Sequence, residues 1–280
     1  ISWLRETDGL EFIEAVRQLS EMAGLPMPLH EQASDAVARQ RKAAVDACEA
    51  AAGFFAAQLH TKDGAAAMHY IRQRGLSDDV IADFRLGYAP RRGLFAHMQQ
   101  REIPADLIKT AGLAGVSDRD GSVYDYFRDR LIFPIEDPRG RVIGFGARSL
   151  GEAQPKYLNS PESPSFVKKT VLYGWGRARI AARRGLPVMV VEGYMDVIAV
   201  ASSGVAAAVA PLGTALGEEQ IRLLWKLSDE PVLCFDGDKA GQAAAQRAVE
   251  RVLPLLEPGR SVRLAVLQDG KDPDDILRHQ

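Results

Sequence analysis

From Pro187 onward the sequence repeats one unit four times: a short, mostly apolar run, then a stretch with helical spacing. "PVMVV" precedes "DVIAVASS", "VAAAVA" precedes "EEQIRLLWKL", "PVLCF" precedes "AAAQRAVERVLPLL", and "SVRLAVL" precedes "DDILRH". Continuous apolar runs of this length read as strands buried on both faces, not as half-exposed strands. Parallel neighbours need a crossover between them, so strand and helix in alternation predict a parallel sheet covered by helices.

In such a sheet, ligands gather beyond the carboxyl ends of the strands. Three of these strands run into acids: Glu192 after "PVMVV", Asp236 and Asp238 after "PVLCF", and the "DGKDPDD" cluster with Asp272 and Asp274 after "SVRLAVL". Asp196 follows Glu192 by one helical turn and is expected to face the same crevice. Carboxylates gathered without His or Cys form a hard-oxygen donor set suited to Mg2+, with Mn2+ as a substitute. Chemistry of this kind serves phosphoryl or nucleotidyl transfer. Taken singly, each motif also has a plainer explanation. Asp238 is placed to cap the following helix, and Asp272 and Asp274 to start the last one.

The first third reads helical. Asp8 and Glu11 have capping-box spacing before Ile13, Val16 and Leu19, and "ASDAVARQRKAAVDACEAAAGFFAAQLH" forms a long Ala-rich helix. Two further helices flank Gly75, the second capped by Ser77. Near Ser122 the character changes. "RLIFPIEDPRGRVIGFGARSL" predicts a hairpin turning at "EDPRG", with Gly144 and Gly146 marking a bulge or a close backbone approach. The organisation expected is α/β: an α+β subdomain over 1–186, then a mainly parallel, helix-flanked module over 187–280.

Charge sharpens this division. Between Arg139 and Leu186 there are ten Lys or Arg against two Glu, whereas from Pro187 there are nine basic against fourteen acidic residues. A basic strip ahead of an acidic module suits a polyanion lying across a metal centre. No apolar run approaches the ~20 residues that span a bilayer, so no membrane partner is expected. Cys48 and Cys234 stand far apart, which supports neither a disulfide framework nor a zinc site and predicts two buried thiols in a cytoplasmic setting. The chain opens on Ile1 without an initiator Met or a signal-peptide layout, which predicts a piece of something longer.

"VVEGYMDV" and "FDGDKAG" resemble the two acidic motifs of the Toprim fold, shared by bacterial-type primases, topoisomerases, small nucleases and recombination mediators. "YFRDRLIFPIEDPRGRVIGFGARSL", "PKYLNSPESPSFVKK", "FRLGYAP" and "EFIEAVRQLSEMAG" are similar to the bacterial-type DNA primase in particular, and the resemblance covers nearly the whole chain. It implies primer synthesis from ribonucleoside triphosphates on single-stranded DNA. Glu192, Asp236 and Asp238 would hold the catalytic metal ions with Asp196 close by, and Glu192 is also a general-base candidate. Lys156 and Lys168 match basic residues of the cleft, Arg148 and Asn159 its polar lining, and Arg128, Arg130 and Arg141 a basic face. Tyr157 or Phe145 is positioned to stack a base. The resemblance also implies a replicative helicase and a single-strand-binding protein as partners of the longer protein, and no zinc within these residues. Two rivals remain at this point, a Toprim topoisomerase or nuclease and a non-enzymatic recombination mediator. The first would need a separate breakage domain, and the second leaves "KYLNSP" without a role.

Overall fold

The computed structural model describes residues 19, 20, 22, 30–213, 216–267 and 270–278. Asp8, Glu11 and most of the first expected helix, together with Asp269 of the "DGKDPDD" cluster, lie outside the described residues. The chain forms two compact units, 1–42 and 43–280. The boundary expected at 186/187 therefore falls inside the second unit.

Helix α1 (His30–Leu59) is the Ala-rich segment. Ala44, Ala47, Cys48, Ala51, Phe55 and Leu59 fall on one stripe of it and are buried. Helices α2 (Ala65–Gln73) and α3 (Asp78–Asp83) follow on either side of Gly75, and Ser77 caps α3 by accepting from the Val80 N–H at 3.3 Å. Strand β1 (Gly87–Ala89), helices α4 (Leu94–Gln100) and α5 (Ala105–Thr110), and the small β2 (Ala114–Val116)–β3 (Val123–Asp125) ladder lead to the hairpin β4 (Arg130–Glu136)–β5 (Val142–Ser149). With the short β6 (Tyr157–Asn159) these form an antiparallel sheet ordered β1-β4-β5-β6. The bulge expected near Gly144 is present as a register shift at Ile135/Glu136.

The hairpin turn is closed by Asp137, which is 4% exposed. One of its oxygens accepts from the N–H groups of Arg139 (2.8 Å) and Arg141 (3.1 Å), and the other from the Arg141 guanidinium at 2.7–2.9 Å. Burial alone would raise this carboxyl, but those donors outweigh it and hold the group below the usual carboxylate range.

Helix α6 (Trp175–Arg183) then leads into β7 (Val188–Val190), α7 (Tyr194–Ser203), β8 (Ala207–Val209), α8 (Glu218–Leu224), β9 (Val232–Phe235), α9 (Lys239–Val252), β10 (Arg263–Val266) and α10 (Pro273–Arg278). The four strands make the expected all-parallel sheet, ordered β10-β9-β7-β8. Alternate residues of β7 and the residue after it face different cores. Val188 and Val190 join Trp175, Leu224, Leu233 and Val252, while Val191 joins Tyr194, Val197, Ile198 and Cys234. Leu131, Phe133 and Ile135 of β4 enter this second core, so it lies between the two sheets. The opposite face of β4 and β5 packs Ile132 and Phe145 on α1. In β9, Leu233 and Cys234 are buried while Val232 and Phe235 are only half-buried, because its neighbour β10 is an edge strand.

Candidate functional site

From β7 the chain crosses to β8 on one side, and it returns beyond β7 to reach β9 on the other. The loops leaving β7 and β9 therefore diverge and open a crevice at the topological switch point. Glu192 and Asp236 stand there, and a Glu192 carboxylate oxygen accepts from the Asp236 N–H at 3.0 Å. Asp238 closes the next turn, accepting from Gly241 N–H at 2.7 Å as the cap of α9. The glycine at 241 is required: a Cβ there would lie 2.2 Å from the Asp236 carbonyl oxygen. The Gly237 N–H donates to the Lys271 carbonyl at 3.1 Å, tying the loop after β9 to the segment before α10.

Asp196 is 7% exposed and accepts from the Gly193 N–H at 3.0 Å, so it caps α7 from within the protein. Burial first, then the neighbouring Asp272, Asp236 and Asp274, pushes its carboxyl up to about 7. Asp236 is also pushed up to about 7, by burial and then by Glu192, Asp272, Asp238 and Asp275. One Asp236 carboxylate oxygen is buried without any hydrogen-bond partner. Asp272, Asp274 and Asp275 each bring an oxygen within 4.8 Å of the others. In this trio Asp272 accepts from the Asp275 N–H at 2.6 Å as the helix start foreseen for it, and the buried Asp274 is paired with Arg74 and with Arg278 at 3.2 Å.

The donor chemistry at the switch point suits a divalent cation. Every side chain there offers oxygen, two carboxyls are raised by burial and by neighbouring carboxylates, and one buried oxygen lacks a partner. A hard cation relieves all three conditions together.

Facing the acids is a cationic and aromatic group. The Arg148 guanidinium lies 4.6 Å from the Tyr70 ring centroid and 5.4 Å from that of Tyr157, and it donates to the Tyr157 hydroxyl at 2.8 Å. Arg74 stands 5.5 Å from the Tyr70 ring while holding Asp274. Tyr157 is 42% exposed, whereas Phe145 is 0% exposed among Phe55 and Phe127. Of the two aromatics expected to stack a base, Phe145 is thus a core residue, because the register of β5 turns it toward α1. Asn159 accepts from the Tyr194 hydroxyl.

The remaining basic residues are spread more widely. The Lys156 side chain is exposed, and its carbonyl accepts from Ser149 N–H (2.8 Å) and the Arg130 guanidinium (3.3 Å). Arg130 itself is buried. Arg128 stacks 5.0 Å over Tyr124 and lines, with Arg91, Arg92 and Arg119, an open groove of about 1000 Å³. Lys168 is half-buried at a 3-10 turn, and Arg141 is engaged with Asp137. Sequence reasoning missed Tyr70 and Arg74. Their place beside Arg148 and Asp274 rests on contacts distant in sequence, 200 residues for Arg74 and Asp274, for which no local pattern exists.

Residues 54–179 match the family model described as DNA primase catalytic core, N-terminal domain, and residues 187–265 match the Toprim domain. DNA primase of Pseudomonas aeruginosa is 42% identical over 284 residues, covering 99% of this chain and 43% of that protein. DNA primase of Escherichia coli is 39% identical over 290 residues, covering 100% and 49%. The chain thus spans less than half the length of these curated relatives. A crystal structure of a DNA primase domain from Pseudomonas aeruginosa superposes with a TM-score of 0.79 at 45% identity, covering 85% of this chain and 75% of that one. A primase catalytic domain bound to single-stranded DNA gives 0.77 at 40%, covering 87% and 76%.

Proposed function

The chain belongs to the bacterial-type DNA primase family, and on that footing we propose that it is the catalytic core that copies single-stranded DNA into short RNA primers from ribonucleoside triphosphates. The observation that carries this reading is the switch-point pair: Glu192 against the Asp236 N–H, with a partnerless Asp236 oxygen beside it. Arg148 and the exposed Tyr157 stand on the facing sheet.

The family is metal-dependent. Glu192, Asp236 and Asp238 would hold Mg2+ or Mn2+, with Asp196 and the less central Asp272 and Asp274 adding negative charge around them. Bound there, the ion stabilises charge on the attacking and leaving oxygens of the nucleotidyl transfer. The protein's own groups do the rest. Glu192 is placed to take the proton of the primer hydroxyl. Lys156 and Lys168 supply mobile cations for the triphosphate, Arg148 and Asn159 position it, and Tyr157 offers a stacking face. Arg128, Arg130 and Arg141 contribute to backbone attraction of the template, which needs charge and not sequence. The division at 186/187 is then one of function: 1–186 presents the basic surface and 187–280 the metal acids.

No described helix is long and apolar enough to cross a membrane. Work at a cytoplasmic replication fork, with helicase and single-strand-binding protein engaged by the longer protein, fits this role. Incubation with template, Mg2+ and ribonucleotides tests it. RNA product is expected; nicked DNA would instead favour a nuclease or topoisomerase, and neither product a DNA-binding mediator.

A further inference from the structure

Strands β4, β5 and β6 place Phe133, Gly146 and Asn159 in one cross-strand row. Tyr194, the first residue of α7 and two positions after Glu192, lies along that row. Its ring stacks on Phe133 with centroids 4.8 Å apart and planes 9° from parallel, and Tyr173 meets it edge-on at 4.8 Å. The phenol then passes over Gly146, where an added Cβ would stand 2.1 Å from the ring carbon bearing the hydroxyl. At the end of the row the hydroxyl donates to the Asn159 side-chain oxygen. Tyr194 thus carries α7 onto the antiparallel sheet, and the one polar atom of its side chain is aimed at one amide.

We propose that Tyr194 is a positioning residue that locks the Asn159 carboxamide, so that Asn159 presents only N–H donors, to a phosphate oxygen of bound nucleotide or nucleic acid. An amide carries one acceptor oxygen and one NH2 group. Once the oxygen is occupied by Tyr194, the NH2 group must point the other way. It does so toward Gly213, where an added Cβ would lie 2.7 Å from the Asn159 amide nitrogen. Gly213 lines, with Glu192, Phe235 and Arg247, a cavity of about 270 Å³. The Asn159 amide meets this cavity only through Gly213, and a donor-only group placed there selects an acceptor-rich ligand, because phosphate oxygens are acceptors without donors. The inference rests on the nucleotide and template role proposed for Asn159.

The test is equilibrium binding of ATP with Mg2+ and, separately, of a single-stranded oligonucleotide, for the chain and four variants. Tyr194→Phe keeps the ring in its slot and removes only the hydroxyl, so near-UV circular dichroism should be preserved. It should weaken one of the ligands roughly three- to tenfold, the range of a single hydrogen bond. The ligand affected identifies whether the phosphate is that of nucleotide or of template. Asn159→Ala should lose the same factor, and the Tyr194→Phe/Asn159→Ala pair no more than Asn159→Ala alone. Asn159→Asp accepts from Tyr194 as before but has no N–H to offer and adds a negative charge, so it should bind at least as weakly as Asn159→Ala. Wild-type affinity of Tyr194→Phe for both ligands, additive losses in the pair, or full binding by Asn159→Asp would each overturn the inference and leave the primase reading intact. Failure of the unmodified chain to bind either ligand would remove that reading, and the inference with it.

Discussion

At the carboxyl end of the parallel sheet, Asp196 and Asp236 face other carboxylates, and burial and neighbouring negative charge push both up to about 7. On the antiparallel sheet, by contrast, charges are answered internally: Arg141 by Asp137, and Arg148 by the Tyr70 and Tyr157 rings. One sheet is unfavourable to itself until a cation arrives, while the other is already satisfied and only partly available to a polyanion. Single charge removals should therefore act very differently on the two sides.

The largest effect is expected at Asp236. Asp236→Asn should lower primer synthesis by two orders of magnitude or more, on the order of the loss of one principal transition-state contact, and Asp238→Asn likewise. Without divalent metal, Asp236→Asn should melt higher than the unsubstituted chain, because mutual repulsion is relieved. The pH dependence has a definite sign. An unfolded Asp titrates near 3.9, whereas Asp236 in the fold is pushed up to about 7. The fold holds this proton more tightly, so metal-free stability falls as pH rises between those values. Melting curves across that window check it: an unchanged slope in Asp236→Asn would contradict the electrostatic account.

Next in size comes Gly241→Ala, which changes no charge. Its Cβ must push α9 off the Asp236 carbonyl, costing about 1–3 kcal/mol of stability and misplacing both aspartates. Chemical denaturation beside primer synthesis reads the two losses. If activity survives while stability falls, the acids tolerate more displacement than their packing indicates.

Lys156→Ala should lower catalysis roughly tenfold, as the loss of a charge-assisted contact does, with little change in DNA affinity. Equal losses in rate and single-strand binding would make Lys156 an ordinary template contact. The smallest effects belong to the basic face. Arg128→Ala should flatten the salt dependence of single-strand binding by about one counterion, a slope change of ~0.7. Arg141→Ala should do less, since Asp137 already neutralises much of its charge, and should show its effect in stability instead. Equal slopes for the two would erase the contrast between an arginine stacked on a ring and one neutralised by a carboxylate.

Many of the elements were legible because their signals are local. The β-α alternation after Pro187, the turn at "EDPRG", the cap at Ser77 and the double use of Asp238 as acid and helix cap all depend on residues a few positions apart. Asp236 and Glu192 were legible as a pair for a related reason: an acid ending a buried strand has one place to go, the carboxyl edge of the sheet. Phe145 was half-legible. Its strand was clear, but which face the ring takes depends on the register against β4 and on α1, and it packs inward.

The sequence by itself determined which residues form strands and helices and which strand ends carry carboxylates, because hydrogen-bonded ladders, caps and periodicity are settled over spans of about ten residues. Only the tertiary structure decided that Arg74 and Tyr70 join Arg148 beside Asp274 and that the Tyr194 hydroxyl reaches Asn159. Those contacts join residues from 35 to 200 positions apart and depend on which faces pack together, and packing is a property of the whole assembled core.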